Sequence, residues 1–286
     1  MTGTPDRRFH RANHRIAHVS LRGALGADLA LVAGAWHRVA APLADLCAEP
    51  GARRDRQLLL GTRFCALDQV GAQVFGYDAD DGYCGWLSAD ALGPDHPVTH
   101  WVSAPATHRY TEASIKSAEN AALSFGARIN VLGVDGPFAT TPQGHIPLQH
   151  IRPIGEPLHD PVGIARLFLG TPYLWGGNSR SGIDCSGLIQ AAHRGCGRAC
   201  PPDSDLQAAM PGDAVAAGHE VAGDLLFWTG HVALVSAPGM IIHANAWHMA
   251  TVEEPLSEAE ARIAANGEPV QCRLRPRAQA VPAHQG

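Results

Sequence analysis

The sequence predicts a multidomain chain in which two small all-β barrels precede an α+β domain. Three observations carry this. Short apolar runs punctuated by glycine fill the first half, with no amphipathic helix of any length. The same order of runs and turns occurs twice there, the second time in a more degenerate form. Beyond Pro157 the pattern changes to helix, glycine-rich turn, helix and then strands. The expected domains are residues 15–95, 96–155 and 156–276.

In the first barrel, Leu58-Leu59-Leu60-Gly61 and Phe64-Cys65-Ala66-Leu67 are strand runs cut by a turn glycine. Val74-Phe75-Gly76-Tyr77 then leads into Asp80-Asp81-Gly82, a hairpin signal, and Tyr83-Cys84-Gly85-Trp86-Leu87 follows. The second barrel offers strands at 99–102, 122–125, 128–132 and 138–141, with turns at Gly126, Gly133, Gly136 and Gly144.

In the α+β domain, Asp160 is an N-cap and Pro161 a first helical residue. Ile164, Leu167 and Phe168 give that helix an apolar face, and Gly170 with Pro172 stops it. A second helix starts near Cys185, buries Leu188, Ile189 and Ala192, and ends at Gly195. Buried strands follow at 224–228, 232–236 and 240–243, separated by Gly230 and Pro238-Gly239. Residues 257–266 read as helix, and the chain is expected to fray from Pro276.

With 45% hydrophobic and 17% charged residues over 286 positions, the chain can bury more than one core. A net charge of −5 argues against nucleic acid or an anionic membrane as the partner. Residues 1–18 are polar and basic, without the apolar segment of roughly 7–15 residues that export requires. The apolar stretch 25–35 is interrupted by Asp28 and is too short to span a bilayer. Seven cysteines, an odd number, read as reduced thiols, so a cytoplasmic location is expected. There is no Cys-x2-Cys pair, and Cys196 and Cys200 have no matching partner pair, so neither metal nor cofactor is expected.

The chemistry centres on Cys185. A thiol reacts as thiolate, which a helix N-terminus and a nearby base both favour. Cys185 falls in the first turn of a helix, where unpaired backbone N–H groups can also face an oxyanion. His231 begins a strand directly after a turn and is the natural base. His243 lies on the next strand, where it can hold the His231 imidazole in its working tautomer. Asn245 is an alternative orienting residue.

Taken together, Gly170-Thr171-Pro172-Tyr173-Leu174-Trp175-Gly176-Gly177, Asp184-Cys185-Ser186-Gly187-Leu188, Gly223-Asp224-Leu225, His231-Val232-Ala233 and Ile242-His243-Ala244 resemble the NlpC/P60 family of cysteine peptidases. The resemblance runs from about Asp160 to Glu254. It implies a circularly permuted papain-like fold, with Cys185 as nucleophile, His231 as base and His243 as third polar residue. It also implies that Tyr173 lines the oxyanion site. Asp81-Gly82-Tyr83-Cys84-Gly85-Trp86 is similar to the ending of bacterial SH3 domains.

Two SH3-like modules ahead of such a domain resemble the family's γ-D-glutamyl-L-diamino acid endopeptidases. That implies hydrolysis of the γ-D-Glu–diamino acid bond in murein tripeptides or tetrapeptides with a free N-terminal L-Ala, a cell-wall recycling activity. Tyr83 then borders the L-Ala pocket, Asp184 and Ser186 meet the amine end and peptide, and Ser204 contacts the γ-D-Glu moiety. Glu49 is a further candidate for the amine subsite. Asp184 is equally a helix cap. Pro202 stands where the family often has arginine. Two other readings are an exported hydrolase of intact peptidoglycan and an inactive wall-peptide-binding protein.

Overall fold

The computed structural model describes residues 5–24, 29–277 and 279. Residues 25–28, part of the 25–35 apolar stretch, and most of the tail expected to fray lie outside the described residues. The chain forms two compact units, Met1–Arg152 and Pro153–Gly286.

The N-terminal unit is β-structure. A seven-stranded antiparallel sheet runs in the order Arg54–Leu59, Leu43–Cys47, Cys84–Ser88, Gln73–Asp78, Arg63–Val70, Ala35–Val39, Leu92–Pro94. Alternation along these strands gives it two packed faces. Val39, Leu46, Leu58, Phe64 and Leu87 fill one, while Cys65, Phe75, Tyr77, Cys84 and Trp86 fill the other. Gly82 takes a φ of +80° in the turn leading to Tyr83, which suits the hairpin signal read there.

The second β segment comprises a three-stranded sheet, Arg128–Ile129, His100–Val102, Ile151–Pro153. It also has a five-stranded sheet, Glu119–Ser124, Ala106–Tyr110, Gly144–Pro147, Phe138–Thr141, Gly133–Asp135. The expected strand at 128–132 ends at Ile129, because Leu132 donates instead to the Thr140 carbonyl. Leu60 of the first segment joins the second core, with Val102, Leu123, Ile129, Ile146 and Ile151. Arg128 reaches back to Asp80 through two nitrogens at 3.0 and 2.7 Å, so the segments pack as one unit.

The C-terminal unit opens with helix α1 (Pro161–Arg166), whose N-cap Asp160 accepts from Val162 N. Helix α2 (Cys185–Gly195) follows the glycine-rich turn, and α3 (Ser204–Ala208) follows α2. A six-stranded antiparallel sheet runs Gly212–Ala214, Cys272–Pro276, Leu225–Trp228, His231–Ala237, Met240–Asn245, Ala250–Pro255. Helix α4 (Leu256–Ala264) packs Leu256 and Ala259 against Leu226, Trp228, Ala233, Val235 and Ile241. On the opposite side α2 lies across the His231–Ala237 and Met240–Asn245 strands. Its residues Leu188, Ile189 and Ala192 are fully buried. Each of the two larger side chains contributes about 1.5–3 kcal/mol by leaving water. That burial fixes where the start of α2, and so Cys185, sits over the sheet.

Among the described residues no helix is long and apolar enough to cross a membrane. Nor does any group of three or more His, Cys, Asp or Glu residues there have the arrangement of a metal site.

Candidate active site

Asp184 builds the start of α2. One carboxylate oxygen accepts from the Gly187 amide at 2.7 Å and the Ser186 hydroxyl at 3.1 Å. The other accepts from the Gly176 amide at 2.8 Å. A single side chain thus caps the helix and ties the glycine-rich turn to it. The fit is close: a Cβ on Gly187 would lie 2.6 Å from the Gly177 carbonyl oxygen and from Asn178 Oδ1. Cys185 is therefore the first residue of the helix, 6% exposed.

The histidine side is built by the sheet. Gly230 takes φ +67° in the turn between the Leu225–Trp228 and His231–Ala237 strands, and His231 pairs with Trp228 as the first residue after it. The Cys185 sulfur lies 4.0 Å from the Gly230 carbonyl oxygen, and the Val232 amide faces it. His231 stands between those two backbone groups. Its Nε2 is 2.8 Å from Nδ1 of His243, which is fully buried on the next strand. The register Leu234↔Ile242 makes the two histidines a diagonal pair on one face rather than directly opposed.

The hydrogen-bonded series continues beyond His243. Its Nε2 lies 2.7 Å from Glu254 Oε1, again across a diagonal, since Ile241 pairs with Glu254 and His243 with Val252. Arg262 of α4 donates to both Glu254 oxygens, at 2.6 and 2.8 Å. Neither Glu254 nor Arg262 was legible as a site residue. The only signal was a carboxylate in a strand eleven residues past His243, at a spacing that two diagonal pairings make functional. Asn245, the alternative orienting residue, instead accepts from the His248 amide at 2.9 Å and closes the turn there.

Burial dominates the electrostatics. It pushes the Cys185 thiol up to about 12, and the neighbouring Asp184 carboxylate adds to the rise. The amides of Val232, Ser186 and Cys185 pull the other way without overcoming it. Burial likewise pushes His231 down to about 3, with the His243 ring acting in the same sense. Burial thus holds both the Cys185 thiol and the His231 imidazole toward their neutral forms, so the thiolate arises as its proton passes to the base. Burial would raise Glu254, but the hydrogen bonds from Arg262 and His243 overcome it and hold the carboxyl at about 2.

Tyr173 is joined to the chain near Met249, whose carbonyl accepts its amide at 2.9 Å. Burial raises its phenol above the ordinary tyrosine range, and Cys185 and Asp184 are near enough to add to that. Ser186 is buried and turned toward Asp184. Ser204 is the first residue of α3, which Gln207 docks by donating to the Ser186 and Pro201 carbonyls, both at 2.9 Å. Gln207, another residue the sequence reading passed over, thus brings Ser204 to the α2 start.

Two predicted site residues belong to the N-terminal unit. Tyr83 is 2% exposed there, with the Phe9 ring edge-on at 6.1 Å and the Arg56 guanidinium 5.3 Å from its ring centre. Glu49 is exposed in the turn after the Leu43–Cys47 strand.

A thiol on a helix start, beside the turn that leads into a histidine pair on an antiparallel sheet, is the kind of arrangement that thiol-dependent hydrolases use. Residues 170–261 match the NlpC/P60 family, and residues 46–92 match the bacterial dipeptidyl-peptidase Sh3 domain. The chain thus carries a segment similar to the NlpC/P60 family, preceded by one similar to the bacterial dipeptidyl-peptidase Sh3 domain.

Among its relatives is the gamma-D-glutamyl-L-lysine dipeptidyl-peptidase of Bacillus subtilis, 29% identical over 57% of this chain and 60% of the relative. Dipeptidyl-peptidase 6 of Lysinibacillus sphaericus is 38% identical over 29% of this chain and 31% of the relative. The chain spans between 31% and 60% of the length of the first four curated relatives it matches. A crystal structure of an NlpC/P60 family protein from Bacillus cereus superposes with a TM-score of 0.72 at 21% identity. It covers 87% of this chain and 100% of that one, a likeness of fold.

Proposed function

We propose that the protein is a cysteine peptidase that hydrolyses the γ-D-Glu–diamino acid bond of short murein peptides bearing a free N-terminal L-Ala. The observation that carries this reading is the Cys185–His231–His243 arrangement within the NlpC/P60 domain. The linkage named in the Bacillus subtilis relative supports the bond. In this reading 15–95 and 96–155 are two SH3-like modules and 156–276 is a circularly permuted papain-like domain. The peptidase works on cell-wall peptides in the cytoplasm, as the odd complement of thiols suggests.

Substrate entry displaces water from a site whose thiol and base are both neutral. As the Cys185 sulfur attacks the γ-carbonyl carbon, its proton passes to His231. The backbone N–H of Cys185 and the Tyr173 hydroxyl face the developing oxyanion. Collapse breaks the C–N bond, and His231 returns the proton to the departing diamino acid amine. Water, deprotonated by His231, then cleaves the thioester and releases L-Ala-γ-D-Glu.

Asp184, Ser186 and Ser204 are the substrate-binding candidates of the C-terminal unit in this reading; Glu49 and Tyr83, the latter buried beside Phe9 and Arg56, are those of the first module. An ammonium beside a desolvated carboxylate is a strong, charge-assisted contact. The test is a panel of free and N-acetylated L-Ala-γ-D-Glu-diamino acid peptides beside purified sacculi. Cleavage of the free peptide alone supports the reading. Equal cleavage of the acetylated peptide or release from sacculi overturns its substrate half.

A further inference from the structure

Three groups of the triad account for bond cleavage, yet the hydrogen-bonded series runs two residues further. Glu254 and Arg262 come from a strand and a helix outside the glycine-turn and α2 motifs, and they place a charged pair, its carboxylate buried and its guanidinium partly exposed, directly behind His243. We propose that Glu254, clamped by Arg262, is a positioning residue that sets the tautomers of both histidines and so selects Nδ1 of His231 as the atom that takes the thiol proton. The inference rests on the cysteine-peptidase reading above.

A carboxylate that accepts from an arginine can only accept. His243 Nε2 must therefore donate to Glu254 Oε1, leaving its Nδ1 as a lone pair. That lone pair lies 2.8 Å from His231 Nε2, which must then donate. One acceptor only remains on His231, its Nδ1, on a residue held between the two backbone groups that contact the Cys185 sulfur. When the proton moves from sulfur to Nδ1, the imidazolium keeps its Nε2–H bond to His243. The Glu254 charge then favours that cation across the one intervening His243 ring.

Arg262 restrains this effect as well as enabling it. Its two donors use both carboxylate oxygens and keep the group from rotating, while its own positive charge opposes the imidazolium. The other groups that bear on the series are His248, whose Nδ1 is 4.0 Å from Glu254 Oε1, Glu258, whose charge acts on Arg262 from the same helix, and Asp184, which acts on Cys185 from α2. Fixing the tautomer is thus the larger consequence, and charge stabilisation the smaller.

The first experiment uses the full wild-type chain with 15N-labelled histidine, with resonances assigned through His231→Gln and His243→Gln. At neutral pH both rings should show a protonated Nε2 and an unprotonated Nδ1. A His243 ring protonated at Nδ1 overturns the proposal.

The second follows alkylation of Cys185 by iodoacetamide against pH, read by peptide mass mapping, in wild type and Glu254→Gln. The alkylation rate at neutral pH should fall by about tenfold in the variant, because His231 Nδ1 is no longer held as the acceptor of the proton that leaves the sulfur as it attacks. With peptide substrate, kcat should fall on the order of a hundredfold while KM stays within about twofold. A folded Glu254→Gln with unchanged alkylation profile and kcat overturns the proposal. Alkylation and tautomer need no peptide, so a wrong substrate leaves both readouts intact. Cleavage by an enzyme indifferent to Glu254 would leave the peptidase reading standing.

Discussion

His231 Nε2 lies 2.8 Å from His243 Nδ1, across a diagonal of two antiparallel strands, and His243 is wholly buried beneath it. The His231 ring is thereby fixed by a group that does not meet solvent or substrate. His243→Ala should lower kcat by about 10²–10³-fold with a much smaller change in KM. Asn245→Ala should leave kcat/KM within about tenfold of wild type, since Asn245 closes the His248 turn. Steady-state kinetics of the two variants separates the residues. Equal losses would contradict the assignment of His243 as the orienting group.

Asp184 holds three hydrogen bonds that organise the α2 start and the glycine-rich turn. Asp184→Ala should cost about 1–2 kcal/mol of stability from the lost cap, and more from the stranded Gly176 amide. Thermal unfolding should show a Tm lower by several degrees. An unchanged Tm would mean that the carboxylate is not the cap and acts on substrate alone.

Gly187→Ala places a Cβ 2.6 Å from the Gly177 carbonyl oxygen, where backbone rather than a flexible side chain must give way. It should destabilise the fold by about 1–3 kcal/mol and displace Cys185 from the Gly230 turn. Loss of activity together with a lowered Tm is expected. Wild-type kinetics would show that the turn and helix are less tightly fitted.

His193 is 2% exposed at the far end of α2, and burial lowers it from 6.5 to about 4. Its folded pKa is below its unfolded one, so its stabilising effect is complete above pH 6.5 and lost as pH falls toward 4. The loss over that window is on the order of 3 kcal/mol. Urea unfolding of wild type and His193→Gln between pH 7 and pH 4 should show a shallower pH dependence in the variant. Parallel curves would assign the acid sensitivity elsewhere.

What the sequence disclosed depended on how local the signal was. Asp160-Pro161, Cys185 through Gly195 and Gly230 carry caps, a helix period and a turn glycine within a few residues, and the second helix and the turn stand where expected, whereas the first helix starts as expected but ends at Arg166, ahead of Leu167 and Phe168. The strands Ala106–Tyr110 and Gly212–Ala214 escaped notice because they are short and largely polar, and acquire a face only through their neighbours. Glu254 and Gln207 escaped for the same reason. One needs two diagonal strand pairings to reach His243, and the other needs α3 to fold back on α2. The burial of Cys185, a property of the whole unit that opposes the amides of the helix start, leaves no local signal in the sequence.

The most direct test is mass spectrometry of L-Ala-γ-D-Glu-L-Lys and its diaminopimelate counterpart after incubation with wild type and Cys185→Ala. The predicted result is L-Ala-γ-D-Glu and free diamino acid from at least one peptide with wild type, and intact peptide with the variant. Release of those products by Cys185→Ala, or none from either peptide with folded wild type, would contradict it.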